Sequence, residues 1–413
     1  MLEPWVRNFP DPVQVFLRSG FWAVGTFFVL SGFVLARGYA SASWDRGSLI
    51  RYGAARVARI YPVYLVSLVI IAPIAYQDLF AAPSASVRGV KAAMLLNYIF
   101  VWQGWTGTLP VQWNTPAWSL SCELFFYLCF PLVLLLARRT NWGRSVAVAG
   151  VAISLPVLLR LGGLPDTWKP LVHLGDFLLG IASAGVYDAL LRFRPNLLGL
   201  GSRLYLPASA LFVVLISAPR FVERWTPLDV LLRPLNALIL LGLALGGGLV
   251  ARVLSLRLSL LLGKASYAIY ILHIPLLWWY KRSWVYHLAA PWPVPASVIF
   301  MAGVVAVSTS VYKLVEEPAN RRLRSALVSW LLPLSDNGDR CRASAFSSCW
   351  SSPVSRRRSP SATSSSRLLK SSFVRIRNSP PPSAATTTTT AGQTGPRPAD
   401  PSAVRAASSV SRS

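Results

Sequence analysis

Glu123 is the residue that first demands a chemical explanation. It lies in Trp118-Ser-Leu-Ser-Cys-Glu123-Leu-Phe-Phe-Tyr127, apolar and aromatic in character, and no basic residue follows it in the segment before Arg138. A carboxylate in such surroundings must find a partner on another helix or take up a proton. Two roles therefore stand side by side: catalysis or substrate orientation, and structural helix pairing. His273, in Ser266-Tyr267-Ala-Ile-Tyr270-Ile-Leu-His273-Ile-Pro275, poses the same choice between a satisfied core group and a base. His173 and Asp176 are three apart, share one helix face and are expected to pair with each other. Arg56 and Arg59, in Arg56-Val-Ala-Arg59-Ile-Tyr61-Pro62, would point the same way on a helix. Two aligned guanidinium forks suit phosphate oxygens, whereas ordinary basic flanking charge would look the same by spacing alone. Tyr98, Trp102, Trp105, Trp113 and Trp118 form either an interfacial aromatic belt or a stacking surface for sugar rings. Three histidines and four cysteines with no zinc-like spacing give no metal site. Cys122 and Cys129 read as structural.

These residues need elements to carry them, and composition says which kind. Hydrophobic residues make up 54% of the 413 and charged residues only 14%, against about 25% charged in soluble proteins. Mean hydropathy is +0.48. The net charge of +26 raises nucleic acid as a partner, but apolar runs of this length exclude a groove binder. The reading is an all-α membrane protein in a lipid bilayer. Apolar windows near the ~20 residues needed to span fall at 20–39, 60–77, 118–137, 145–160, 171–191, 204–219, 230–251, 265–280 and 296–315, with 92–103 a weaker candidate. That predicts about nine transmembrane helices. Pro156 and Pro207 soften two of them, and proline is tolerated in spanning helices. Gly242 and Gly246 form a small-xxx-small pair expected to pack helices.

Arginine and lysine concentrate in alternate connections: Arg37 to Arg59, Arg138 to Arg144, Arg192 to Arg203, Arg252 to Lys264, and Lys313 to Arg324. The positive-inside rule puts these in the cytoplasm. The loop 220–233 is mixed, with Arg220, Arg224 and Arg233 beside Glu223 and Asp229. The same alternation puts the N-terminus outside, although residues 1–19 hold no spanning stretch and no signal-peptide pattern. The expectation is one further helix upstream. From Ser335 the chain is rich in Ser, Pro, Thr and Arg and carries +9, a composition that cannot offset ordering entropy. The expected layout is a short N-terminal segment at 1–19 and a multi-pass domain at 20–320. A basic juxtamembrane segment at 321–334 and a disordered cytoplasmic tail at 335–413 follow.

Five segments in order are similar to the acyltransferase 3 family of integral membrane O-acyltransferases. They are Gly25-Thr-Phe-Phe-Val-Leu-Ser-Gly-Phe33, Arg56-Val-Ala-Arg-Ile-Tyr-Pro62, Trp118-Ser-Leu-Ser-Cys-Glu-Leu-Phe-Phe-Tyr127, Leu262-Gly-Lys-Ala-Ser-Tyr-Ala-Ile-Tyr-Ile-Leu-His273 and Val311-Tyr-Lys-Leu-Val-Glu-Glu-Pro318. The resemblance implies ten helices and transfer of an acyl group, usually acetyl, from cytoplasmic acyl-CoA. The acceptor it implies is a hydroxyl of an extracytoplasmic carbohydrate or glycolipid. Acyl-CoA is then a co-substrate, with no bound cofactor and no nucleic acid. It further implies that Arg56 and Arg59 contact the donor, and it matches Glu123 and His273 to the family's glutamate and late histidine. These two are the expected catalytic residues, with Trp113 and Trp118 on the acceptor side. The expected location is the inner or plasma membrane.

One feature of the family is missing from the residues. The family's first helix carries an arginine and, about ten residues on, the histidine regarded as general base; here no histidine precedes His173. Acyl transfer from a thioester requires a base for the acceptor hydroxyl. The resemblance thus implies the reaction while this stretch of chain lacks the residue that would start it, and an inactive form is part of the expectation. The rival class is a glycan or lipid transporter, in which Glu123 and Asp176 would relay protons; no inverted repeat supports it.

Overall fold

Every regular element in the structure, a computed structural model describing residues 9–106, 113–137, 142–163, 168–217, 229–288 and 292–332, is helical. In chain order the principal helices are α1 (Asp11–Arg18), α2 (Ala23–Gly38), α3 (Arg46–Phe80), α4 (Ala85–Ile99), α5 (Trp118–Ala137), α6 (Trp142–Leu161) and α7 (Leu174–Phe193). They continue as α8 (Ser202–Ser217), α9 (Asp229–Leu245), α10 (Gly248–Leu254), α11 (Arg257–Arg282), α12 (Pro293–Val311) and α13 (Glu317–Leu331). Among the described residues seven helices are long and apolar enough to cross a membrane, or eight if the bent pair α9–α10 is one span. The chain is a multi-pass membrane protein. Each of the nine apolar windows falls on a helix, but 204–219 corresponds to α8, which is apolar and short. The residues 335–413 and the basic cluster Arg138–Arg139 lie outside the described residues.

Two boundaries differ from the sequence expectation for physical reasons. The first span runs over Asp11–Gly38, because α1 continues through a 3-10 turn at Ser19–Trp22 into α2. Helix α1 is amphipathic rather than uniformly apolar, with Asp11 in its first turn and Arg18 in its last, so an apolar window cannot see it. The segment 230–251 bends by 78° between α9 and α10. There Gly246, Gly247 and Gly248 all take positive φ, at 76°, 91° and 76°, backbone that glycine adopts without a Cβ penalty. Gly247 also has no room for a side chain, since a Cβ would run into the Gly199 carbonyl. Of the small pair expected to pack helices, Gly242 does so against Gly201 and Tyr205, whereas Gly246 starts the bend.

Helix α3 is the longest element, 35 residues, or about 52 Å at 1.5 Å per residue. Asp45 caps it by accepting the Ser48 N–H at 2.7 Å. The Ser43 hydroxyl first, and then that N–H, hold the Asp45 carboxyl down at about 2. Pro62 and Pro73 lie inside α3. Donors on α11 reach backbone carbonyls close to both: the Tyr267 hydroxyl bonds Ile60 O at 2.8 Å and Trp279 Nε1 bonds Ile70 O at 2.7 Å. The carbonyls that the two prolines leave without an in-helix donor are those of Ala58 and Val69, so the bonds to Ile60 and Ile70 fasten α11 along α3 and do not repair the ladder.

A close crossing joins α2 and α7. A Cβ on Gly32 would strike the Phe177 carbonyl, and one on Gly180 would strike the Val29 carbonyl. Glycines let backbones approach this closely where lipid offers no hydrophobic drive for association. Around the crossing, Phe28, Phe126 and Phe177 interlock, with ring centroids 5.2 Å and 4.9 Å apart for the two adjacent pairs. Phe126 belongs to α5, so this packing fixes the helix that carries Glu123. Gly180→Ala is expected to destabilise the protein by about 1–3 kcal/mol through overpacking, read as a lower unfolding temperature in detergent. Gly53→Ala, on α3 with open space around its Cβ position, should leave that temperature unchanged or slightly raised.

Candidate active site

The sequence placed Arg56 and Arg59 where the span 60–77 begins; α3 starts at Arg46 and carries them roughly three to four turns inside the helix. Arg56 turns toward α5, and Arg59 toward α11 and the end of the last span. Arg56 is enclosed by three tyrosine rings, its guanidinium carbon 5.5 Å from the Tyr127 centroid, 5.9 Å from Tyr52 and 6.0 Å from Tyr39. Aromatic faces attract a desolvated guanidinium, and the Tyr127 side chain also hydrogen-bonds it. Arg56 Nε is buried and has no partner. The Tyr52 hydroxyl, donating to Tyr127 O at 3.0 Å, ties the cage to α5.

Arg59 makes a different set of contacts. Its Nη1 donates to Glu316 Oε1, and its guanidinium carbon lies 5.6 Å from the Tyr267 ring centroid. Glu123 lies within Coulomb range of Arg59 and Arg56. Its Oε2 accepts a long hydrogen bond of 3.4 Å from the Tyr127 hydroxyl one turn on. The structure thus brings Glu123, Arg56 and Arg59 together from two helices that the sequence could not place side by side. Glu123 has neither arginine as a direct salt-bridge partner among the described residues.

His273 and the tryptophans take other places. His273 donates Nδ1–H to Tyr270 O at 2.6 Å, which leaves Nε2 as the ring's acceptor. Tyr270, whose hydroxyl reaches Pro116 O at 3.4 Å, lies within Coulomb range of Glu123, so α11 approaches the same region one turn from His273. Trp113 is buried at 1% exposure and donates Nε1–H to Asp78 Oδ2 at 3.0 Å; it is part of a wall, not an open face. Trp118 is half-buried and faces a polar cluster. Lys169 Nζ lies 4.5 Å from its ring centroid and the His173 ring 5.3 Å.

That cluster contains the expected pair. His173 Nδ1 and Asp176 Oδ2 are 2.8 Å apart. A third member was missed: Arg233 Nη1 lies 3.0 Å from Asp176 Oδ2 and 3.0 Å from Val172 O. The sequence treated Arg233 as one charge of a mixed loop, but α9 begins at Asp229 and buries it against α7. Glu316 was also missed as a site residue, although it stands in the Glu316-Glu317-Pro318 motif. Tyr127 and Tyr267 lie inside quoted motifs too, and only their positions on facing helices reveal their partners.

The class of protein is then defined: a multi-pass helical membrane protein that holds two arginines and a glutamate together between its spans. It belongs to the acyltransferase 3 family, whose profile, described as acyltransferase domain, matches residues 2–313, and it is accordingly an acyltransferase enzyme. The chain is similar to acyltransferase MdmB of Streptomyces mycarofaciens, 29% identical over 336 residues covering 73% of this chain and 81% of that protein. It is also similar to the exopolysaccharide production protein ExoZ of Rhizobium meliloti, 29% identical over 315 residues, 74% of this chain and 91% of that one. Nodulation protein 10 of Rhizobium leguminosarum bv. viciae is 23% identical over 333 residues, 74% and 83% of the two chains. No solved structure matches the chain.

Removing one partner of a buried ion pair leaves the other charge uncompensated, at a cost of about 3–5 kcal/mol. Asp176→Ala should therefore lower the unfolding temperature sharply. The double variant Asp176→Ala with Arg233→Met should recover much of that loss, which calorimetry of the purified protein in detergent can read.

Proposed function

We propose that this acyltransferase moves an acyl group, most simply acetyl, from acyl-CoA in the cytoplasm to a hydroxyl of an extracytoplasmic carbohydrate or glycolipid. One observation carries the reading: the Tyr127 side chain links Glu123, whose Oε2 it reaches at 3.4 Å, to Arg56, whose guanidinium lies 5.5 Å from its ring, with Arg59 one turn further along α3. Guanidinium forks suit the phosphates of a CoA thioester, and a carboxylate beside them can orient a hydroxyl toward the thioester carbon. Glu123 and His273 are the catalytic groups in this reading, and Arg56 and Arg59 bind the donor. Trp118 offers the acceptor-side stacking face, whereas the buried Trp113 is held by Asp78 and Tyr98. The name of ExoZ, exopolysaccharide production protein, favours a surface glycan as the acceptor class.

The reading places the protein in the inner or plasma membrane, with the basic connections and the C-terminal tail in the cytoplasm. Proximity of donor and hydroxyl supplies much of the rate in such a site. The attacking oxygen forms the new ester while the carbon–sulfur bond breaks and CoA leaves as its thiol. A transporter built on broken helices would show them in matched positions of two halves, and the described residues contain one bent pair.

Arg59→Ala is expected to reduce acetyl-CoA turnover at least ~100-fold while the protein still inserts. Glu123→Gln should lower it by about 10²–10⁴-fold, the range of a positioned acid–base group. Mass spectrometry of surface glycan from cells with and without the gene supplies the second measurement. Unchanged ester content, or turnover that depends on an ion gradient in liposomes, would refute the assignment.

A further inference from the structure

The last span does not run through as a uniform α-helix. Between α12 and α13, residues Tyr312–Glu316 form a π-turn. Single π-turns inside α-helices are uncommon and gather at functional sites, because the inserted residue re-aims side chains without ending the helix. Here the effect falls on two adjacent glutamates. Glu316 is 1% exposed and bonds Arg59 across 257 residues of sequence. Glu317 is 49% exposed at its side chain and pairs with Arg321, one turn on at 3.7 Å. The second oxygen of Glu316, Oε2, is buried without a partner. A carboxylate oxygen in that state carries its full desolvation penalty, so it is an acceptor awaiting a donor group. Arg56 Nε, buried and unpartnered on the same helix as Arg59, is a donor awaiting an acceptor.

We infer that Glu316 is a positioning residue for the acyl donor. One carboxylate oxygen fixes the Arg59 fork so that its remaining N–H groups face phosphate oxygens. The other accepts a hydrogen bond from an N–H or O–H of the same donor molecule, for which the amide groups of the CoA pantetheine arm have the right chemistry. Arg56 Nε supplies a further contact to the donor's anionic end. The inference rests on the assignment of Arg56 and Arg59 to the donor, and it adds a residue and a hydrogen-bond acceptor that the arginines alone do not provide. Because the guanidinium is already held, less of its rotamer freedom is lost when the donor arrives.

The test is equilibrium binding of CoA to the purified full chain in detergent, a readout that does not require turnover. Glu316→Gln should weaken CoA about tenfold, and Glu317→Gln should leave it within twofold. Arg59→Lys should also weaken binding, and adding Glu316→Gln to it should cost clearly less than the product of the two separate effects, since the two residues act through one contact. Unfolding temperatures measured without CoA keep a purely structural role apart, because such a role moves stability and leaves affinity alone. Unchanged affinity in Glu316→Gln overturns the inference. Tighter binding overturns it as well, because Glu316 would then be competing with the donor for Arg59. Absence of CoA binding by the wild-type chain instead removes the donor assignment itself.

Discussion

A charge placed among membrane-spanning helices must be met by another charge or by fixed dipoles, and the described fold is organised around where that happens. Two ion pairs with buried members join segments far apart in sequence: Arg59 with Glu316, and Asp176 with Arg233. The first ties α3 to the end of α12, the second ties α7 to α9. Neither need add net stability, because desolvating both members offsets much of their attraction. What they impose is register. A helix that slid by one turn along its neighbour would leave a charge in hydrocarbon. The glycine crossing of α2 and α7 and the phenylalanine cluster around it then hold α5 against that frame.

The legibility of this arrangement varied with the kind of signal. Spanning helices were legible because twenty apolar residues have few other uses. The exceptions have local causes. Helix α1 is amphipathic, α8 is short, and α9–α10 breaks where three successive glycines take positive φ. The pairing of His173 with Asp176 was legible because three residues on one helix fix their geometry. Arg233 was not, since nothing local distinguishes a loop arginine from one that a helix start carries inward. Glu316 stood in a recognised motif with no visible role. Its partner is 257 residues away, and a π-turn has no compositional signature.

The tryptophans illustrate the same limit. Trp113 and Trp118 were grouped by composition and proximity, yet one is sealed against Asp78 and the other faces His173 and Lys169. Aromatic residues at a membrane edge serve as anchors, walls or ligand platforms. The choice depends on what covers each face, which sequence does not encode locally. Trp118 and Glu123 are five residues apart on α5, about 7.5 Å along the axis. At about 100° per residue the two project from different faces of the helix, so α5 turns Trp118 toward Lys169 and His173 and Glu123 toward the arginines of α3.

Arg56 and Arg59, one turn apart on one helix, are not equivalent. Arg59 is neutralised by a direct carboxylate partner, so its attraction for a second anion is reduced and its contribution is geometric. Arg56 is surrounded by the faces of Tyr39, Tyr52 and Tyr127, which stabilise a cation without cancelling its charge. Glu123 lies within range but bonds neither arginine directly. The formal charges of Arg56, Arg59, Glu123 and Glu316 sum to zero, so the two arginines differ in geometry and not in net charge: Arg56 presents its guanidinium to ring faces, while Arg59 supplies an oriented fork at the π-turn.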